Sequence, residues 1–405
     1  MKLSREQAAA LQDILGRFNR GEQYITLKGS AGTGKTFLTG ELVRRLRDEG
    51  RDFYVCAPTH QSARVLNDKI SGEQSCEQIV KTIHSFLGLV LYQDNRGGYD
   101  LRESPNRYVP GNCIVIMDEA SMCGAKLWKY IQRTCRIQWL FVGDPAQLPP
   151  VNEPDSCVFE FPGPELKTIV RQAEGNPIIA LAWKVRQGEK YIRYADTTMD
   201  RDFFTERAVE EFKSIGHRVR ILAYHNFAVS RYNKMVRAAI LGHEAPRFVE
   251  GEWLVARNSW SLQREIRLYT SEEVRVDRIE KGWLSTFERD WVVWRLTVSS
   301  DLTDLGSRDV FVLHEDEHES YDIMLTALRD DALADPTLWW KFYRLKEAFA
   351  QLDYSYAMTV HKSQGSTFES VFIDHEDLMC CSGPERQALV YVAVTRPSDR
   401  LYLYI

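Results

Sequence analysis

The first half of the chain alternates short apolar runs with stretches whose apolar positions recur at helical spacing. YITLK (24–28) is an apolar strand, and FLTGELVRRLRDEG reads as a helix after a glycine-rich turn. FYVCAP (53–58) is the next strand and QSARVLNDKI the next helix. NCIVIMDEA (112–120) is a buried strand and WLFVGD (139–144) another. ILAYHNFAVSRYNKMVRAAI (221–240) repeats the strand-then-helix order. Strands alternating with helices predict an α/β fold, a parallel sheet with helices on both faces.

Between about 251 and 317 the period changes. EWLVARN, EEVRVDRI, WVVWRLTVS and RDVFVLHED alternate at period two with no helix between them, which predicts a small antiparallel barrel or sheet. LWWKFYRLKEAFAQL (338–352) predicts a helix, and TVHKSQGSTFESVFIDH and ALVYVAVTRPSDRLYLYI return to the α/β style. The β module is thus inserted in a second α/β domain. A smaller interruption is LVLYQDNRGGYDLRE (89–103), where the turn cluster Asn95-Arg-Gly-Gly98 lies between Tyr92 and Tyr99. It reads as a protruding β-hairpin, with a surface loop as the alternative.

Composition narrows this little: 44% apolar and 27% charged is ordinary for a globular chain of 405 residues. No run is long enough to span a bilayer, and the N-terminal MKLSREQAAALQDIL reads as a helix, not a signal peptide, so a cytoplasmic location without membrane contact is expected. Eight cysteines are scattered with no C-x-x-C pair, and Cys56, Cys113 and Cys157 read as small buried hydrophobes. A net charge of −5 argues against a wholesale basic binder but leaves room for a local nucleic-acid groove.

The chemistry starts at Gly29-Ser-Ala-Gly-Thr-Gly-Lys-Thr36, which fits G-x-x-x-x-G-K-[ST] between a predicted strand and helix. Gly29, Gly32, Thr33 and Gly34 let backbone N–H groups close around phosphate oxygens at a helix N-terminus. Lys35 is expected to reach the β/γ-phosphates of ATP, and Thr36 to offer its hydroxyl to Mg²⁺. IVIMDEAS brings Asp118 to a strand end as a hold on Mg²⁺ and Glu119 as the general base for water. In VGDPAQLPP, Gln147 is placed to sense water or the γ-phosphate. Arg171 in LKTIVRQ and Arg396 in VAVTRPSD are the candidates for stabilising transition-state charge. Ser4-x-x-Gln7 is a capping box, and Gln7 is equally a candidate reader of the adenine edge.

GSAGTGKT, APTHQSAR, TIHSFLG, DEAS, GDPAQLPP, IVRQ, TVHKSQGSTFE and YVAVTR occur in this order. With them the chain resembles the superfamily 1 DNA helicases, in the type B branch of RecD-like and Dda-like enzymes, the Dda-like ones nearest. The resemblance covers nearly the whole chain. It implies two RecA-like P-loop domains with parallel sheets and ATP in the cleft between them. The first is residues 1–172, with the hairpin insertion at 89–110; the second is 173–250 with 350–405; an SH3-like β-barrel insertion with a helical extension fills 251–349. It implies movement 5′ to 3′ on single-stranded DNA, the hairpin acting as the pin that splits duplex. It tips Gln7 toward adenine and adds Gly365 of TVHKSQG to the nucleotide set. Pro397 follows Arg396 where the family often has a small or basic residue, and the pin lacks a phenylalanine at its tip, leaving Tyr99 or Tyr92 as the wedge.

Three segments are expected to face the strand: Pro58, Thr59 and His60; Thr82, His84 and Ser85; Thr359, His361 and Lys362. Their hydroxyls, imidazoles and ammonium group bond phosphates without reading bases. Phe86 is a candidate for stacking on a base. The implied partners are single-stranded DNA and single/double-strand junctions, with a single-strand binding protein or replication and recombination factors beside a monomeric enzyme. A translocase that displaces bound proteins with little unwinding, and a nucleotide-switched DNA-binding adaptor, are the alternatives. His314-Glu-Asp-Glu-His318 matches H-E-x-x-H but follows a strand-like run, so it reads as a solvated strand end or turn and not a zinc site. Trp339 and Trp340 read as core packing between the β module and the second domain, in preference to a base platform.

Overall fold

The computed structural model describes residues 3–71, 80–93, 99–105, 107–150, 153, 157–169, 177–188, 198–263, 265–287, 289–300, 306–383 and 385–404. By its internal contacts the chain forms two compact units: residues 1–92, 101–229 and 358–405 in one, and 93–100 with 230–357 in the other.

The first unit opens with α1 (Arg5–Asn19), β1 (Tyr24–Gly29), α2 (Lys35–Asp48), β2 (Phe53–Ala57), α3 (His60–Ser71), β3 (Val80–Thr82) and α4 (Ile83–Phe86). It continues through β4 (Leu89–Gln93), β5 (Tyr99–Glu103), β6 (Cys113–Met117), α5 (Ala125–Gln132), β7 (Ile137–Gly143) and β8 (Glu165–Leu166). Six of these strands form a parallel sheet in the order β3-β2-β6-β7-β1-β8. Strand alternation splits β7 between two cores. Leu140 and Val142 face α1 and α2 beside Leu11, Ile14, Leu38 and Leu42. Ile137, Trp139 and Phe141 face the other way, onto Leu127 and Ile131 of α5. Burial on both faces explains why these strands are continuous apolar runs, each large side chain contributing about 1.5–3 kcal/mol. β4 and β5 pair as a separate two-stranded sheet, so 89–103 is a hairpin; its tip, 94–98, and the side chains of Tyr92 and Tyr99 lie outside the described residues.

After α6 (Pro177–Arg186), a second sheet begins with β9 (Thr198–Met199), α7 (Arg201–Ile215), β10 (Val219–Ala223) and α8 (Asn226–Leu241). The inserted segment holds β11 (Trp253–Ala256), β12 (Trp260–Leu262), β13 (Glu265–Leu268), β14 (Glu273–Thr286), β15 (Arg289–Ser299), β16 (Arg308–Leu313), α9 (His318–Ala334), α10 (Trp339–Lys346) and β17 (Leu352–Tyr354). Five of its strands make an antiparallel sheet in the order β16-β15-β14-β11-β17. The chain then returns with β18 (Ala357–Thr359), β19 (Phe368–Asp374), α11 (His375–Leu378), α12 (Glu385–Val394) and β20 (Pro397–Tyr404). These complete the second sheet, β18-β10-β19-β20-β9. Val371 and Ile373 of β19 pack toward α6 and α12, while Phe372 stacks on Tyr402 at 4.4 Å and meets Phe204 of α7 at 5.3 Å. Pro397 opens β20, a position that asks no ladder donor of it.

Three expectations for the insert need correction. The helix expected over 338–352 stops at Lys346, because Ala350 N–H bonds Phe311 O at 2.8 Å and Leu352–Tyr354 pair with β11. An open sheet edge there outweighs helical periodicity. Trp340 is 56% exposed and so is not core, whereas Trp339 stacks on Tyr343 at 5.5 Å. The His314–His318 segment does end a strand, but it leads straight into α9, and Glu317 is buried against Arg289, not solvated. α9 itself went unread, although Tyr321, Met324, Leu325 and Leu328 form a helical stripe that packs with Trp291 and Phe349.

Candidate nucleotide and nucleic-acid site

β1 ends at Gly29, and the loop to α2 turns back over the strand. Gly34, at φ 80°, caps α2 in a left-handed conformation that suits glycine and presses against the Gln7 amide. Lys35 Nζ donates to Gly29 O at 2.7 Å and Ser30 O at 3.1 Å, which holds it across the mouth of the loop. Gln7 closes the capping box with Ser4, accepting from Ser4 N–H at 3.0 Å, and also donates to Thr33 O at 3.2 Å. The fold therefore uses Gln7 as cap and as a strut for the phosphate loop at once. Thr36 lies in the first turn of α2.

Asp118 follows β6 and is half-buried; its carboxylate accepts from Glu119 N–H at 2.9 Å. Burial, then the neighbouring Glu119 charge, raises its pKa to about 6, against the pull of Lys35. Glu119 sits at φ 50°, a left-handed conformation rare for a side-chain-bearing residue and one that recurs at functional sites. Gln147, after β7, accepts from Ser121 Oγ and Gln364 Nε2, both at 3.4 Å, and Gln364 Nε2 also donates to Ser121 Oγ at 3.2 Å. Gln364 comes from the second sheet's loop, so this cluster joins the two lobes.

A second junction runs through Tyr391 of α12. Its hydroxyl accepts from Ala31 N–H in the phosphate loop at 3.1 Å and donates to Asp144 at 2.6 Å. Arg186 at the end of α6 pairs with the same Asp144 at 3.0 Å. A cavity of about 420 Å³ opens here, lined by Ser30, Ala31 and Gly32 of the loop and by Trp183, Arg186 and Tyr391 opposite. Arg396 is buried and spends its guanidinium on the carbonyls of Val392, Ser363 and Ser366 and the Thr395 hydroxyl. Burial lowers its pKa, and the Glu119 carboxylate opposes that shift. Arg171 lies outside the described residues. Gly365 has φ 82° and abuts Ser62 of α3, where a Cβ would collide with the Ser62 hydroxyl.

The three segments expected to face the strand all leave carboxyl ends of sheet strands, the edge at which α/β sheets bind ligands. Pro58, Thr59 and His60 follow β2, and Thr59 Oγ1 accepts from Ser62 N–H at 3.1 Å. Thr82 ends β3 and caps α4 by accepting from Ser85 N–H at 3.2 Å; burial lowers the pKa of His84 beside it. Thr359 ends β18, His361 Nε2 bonds Glu385 at 3.0 Å, and Lys362 is exposed. Phe86 is a correction: it is 5% exposed, packed on Tyr54 at 5.1 Å and Trp139 at 6.0 Å, so its ring faces the core and not a base. Tyr99 lies on β5, with its side chain outside the described residues. Of the cysteines read as buried, Cys56 and Cys113 are, and Cys157 is half-buried. His225, Asp377 and Cys380 bring ligand atoms within 4.8 Å of one another, but Asp377 already accepts hydrogen bonds from Tyr224 N–H, His225 N–H and the His225 ring.

Ser121, Gln364 and Tyr391 were missed, although each stands inside a motif already singled out; Asp144 likewise. Arg186 carries no sequence signal, because only folding sets the end of α6 against the loop after β7.

An AAA-domain model matches residues 2–208, and a UvrD-like helicase C-terminal domain model matches 354–404. The ATP-dependent DNA helicase dda of Enterobacteria phage T4 is 26% identical over 97% of this chain and 97% of its own length. The ATP-dependent RecD2 DNA helicase of Deinococcus radiodurans is 31% identical over 46% of this chain and 24% of its own. A Bacteroides Pif1 helicase, solved with ADP-AlF3 and single-stranded DNA, shares the fold at TM-score 0.54 and 18% identity, covering 99% of this chain and 92% of that one. The chain belongs to the AAA-domain family and to the superfamily 1 type B helicases of the Dda and RecD kind.

Proposed function

We propose that this chain hydrolyses ATP to move 5′ to 3′ along single-stranded DNA, and that the β4–β5 hairpin is the pin that parts the duplex. The observation that carries the reading is the cleft. Lys35, Asp118 and Glu119 stand on one lobe, and Gln364 and Tyr391 of the other reach across to Gln147 and the phosphate loop. A site assembled from two lobes responds to nucleotide by closing and to its loss by opening, and such cycling moves a bound strand.

In this reading Gly29, Gly32, Thr33 and Gly34 wrap the phosphates and Lys35 neutralises them. Glu119 takes the proton of the attacking water, and Gln147 orients that water. Arg396 and Arg171 stabilise the charge of the transferring phosphoryl group; Arg396 exchanges its carbonyl partners for phosphate oxygens as the lobes close. Thr36 and Asp118 fit Mg²⁺, since both offer hard oxygens and the raised pKa of Asp118 marks a carboxylate that a cation would stabilise. Held there, Mg²⁺ would supply neutralisation of the phosphate charge. Gln7 reads the adenine edge with the amide hydrogen that Thr33 leaves over, and Gly365 lets the second lobe's loop come close. Pro58, Thr59, His60, Thr82, His84, Ser85, Thr359, His361 and Lys362 track the strand's backbone, and Tyr99 is the wedge at the junction.

The test is unwinding of two partial duplexes, one with a 5′ and one with a 3′ single-stranded tail, by wild type and Lys35→Ala. Unwinding confined to the 5′-tailed duplex and lost in Lys35→Ala is the expected result. Unwinding of the 3′-tailed duplex alone would reverse the polarity, and DNA-stimulated hydrolysis without unwinding would remove the pin.

A further inference from the structure

We infer that the turn from β10 into α8 carries a base-stacking subsite for single-stranded DNA, built from Phe227 on His225. The inference rests on the helicase reading and adds to it a site on the second lobe.

Four rings run in a row along the carboxyl edge of the second sheet. Phe227 stacks on His225 with centroids 5.0 Å apart and planes 29° from parallel. Tyr224 meets His225 edge-on at 4.7 Å, and His361 lies 6.1 Å from Tyr224. Tyr224 and His361 line a cavity of about 650 Å³ whose opposite wall is Gln147, Pro149 and Pro150 of the first lobe. The row therefore leads from an interlobe cavity out to Phe227, which is 66% exposed.

A single exposed phenylalanine needs no explanation. This one differs in what lies behind it. His225 Nδ1 is held at 2.7 Å by Asp377, a carboxylate buried in α11, the short helix that follows β19. The other oxygen of Asp377 accepts from Tyr224 N–H at 2.7 Å and His225 N–H at 2.9 Å. Three hydrogen bonds thus fix the imidazole and the turn that carries it, and the fixed imidazole backs the phenyl ring. A rigid ring with an open face is what a base stacks on, with no preference for its identity. Lys362, next to His361, stands ready for the phosphate of the same strand.

The test is equilibrium binding, by fluorescence anisotropy, of labelled oligo-dT and of an abasic strand of equal length. Wild type, Phe227→Ala and Phe227→Tyr are compared. On oligo-dT, Phe227→Ala binds about tenfold more weakly and Phe227→Tyr within about twofold of wild type. On the abasic strand all three bind alike, since there is no base to stack. A thermal midpoint of Phe227→Ala equal to wild type ties the loss to the ring and not to unfolding. Equal oligo-dT binding by wild type and Phe227→Ala, the same loss on the abasic strand, or a loss in Phe227→Tyr as large as in Phe227→Ala overturns the subsite. Failure of wild type itself to bind oligo-dT overturns the helicase reading along with it, and that failure is seen before any variant is compared.

Discussion

Glu119 combines a strained backbone with a place beside the half-buried Asp118 carboxylate, and its chemistry is separable from its shape. Glu119→Gln keeps the side chain's size and removes the proposed base. Hydrolysis in the presence of single-stranded DNA is expected to fall by about 10²-fold or more, with nucleotide binding kept. Steady-state ATPase rates beside titration with a fluorescent nucleotide check it. Tyr391 is a second decisive residue. Tyr391→Phe removes only the hydroxyl, but it leaves Ala31 N–H unpaired and takes one donor from the buried Asp144. The expected cost is about 1–3 kcal/mol, read as a lower urea midpoint. At this scale the sequence singled out the candidate phosphate residues, because glycine, lysine and paired acids at strand ends have few other uses. It did not name Tyr391, since nothing in YVAVTR says that a tyrosine spans the lobes.

Among the elements, the loop after β18 concentrates the constraints. Gly365 is held at φ 82° against Ser62. Gly365→Ala adds a left-handed penalty of about 1–2 kcal/mol and a collision. Adding Ser62→Ala is expected to recover the collision and not the penalty, which thermal melts of the single and double variants resolve. In the antiparallel sheet, Arg308 is buried with Glu272, and it also donates to Gly306 O at 2.9 Å. Glu272→Ala strands a buried guanidinium and is expected to cost about 3–5 kcal/mol, read by denaturant unfolding. Element type was legible wherever one period ran unopposed: β1, β2, β6, β7 and β10 stand where their apolar runs predicted. It failed at 347–352, where the pattern is helical but the edge of β11 takes the chain from Leu352 as a strand.

For the whole molecule, a net charge of −5 means that binding to a polyanion depends on a few placed cations and not on the overall field. Lys362→Ala is expected to weaken single-strand binding and to flatten the dependence of log affinity on log salt by about 0.7, one phosphate contact's worth. Anisotropy titrations across a salt series would show it, and an unchanged slope would remove Lys362 from the groove. No helix among the described residues is long and apolar enough to cross a membrane.

The order of motifs and the periods between them determined, from sequence alone, a P-loop α/β chain with an inserted antiparallel module and a candidate triphosphate site at residues 29–36 and 118–119. These are local matters: a glycine's φ range, an acid at a strand end, a period of two or 3.6. Tertiary structure alone decided which rings are buried and which are offered. Phe86 and Phe227 each follow a strand closely, yet one is 5% and the other 66% exposed. The difference lies in what packs behind them, Tyr54 and Trp139 for the first, a histidine pinned by Asp377 for the second. Burial depends on residues distant in the chain, and no local pattern records it.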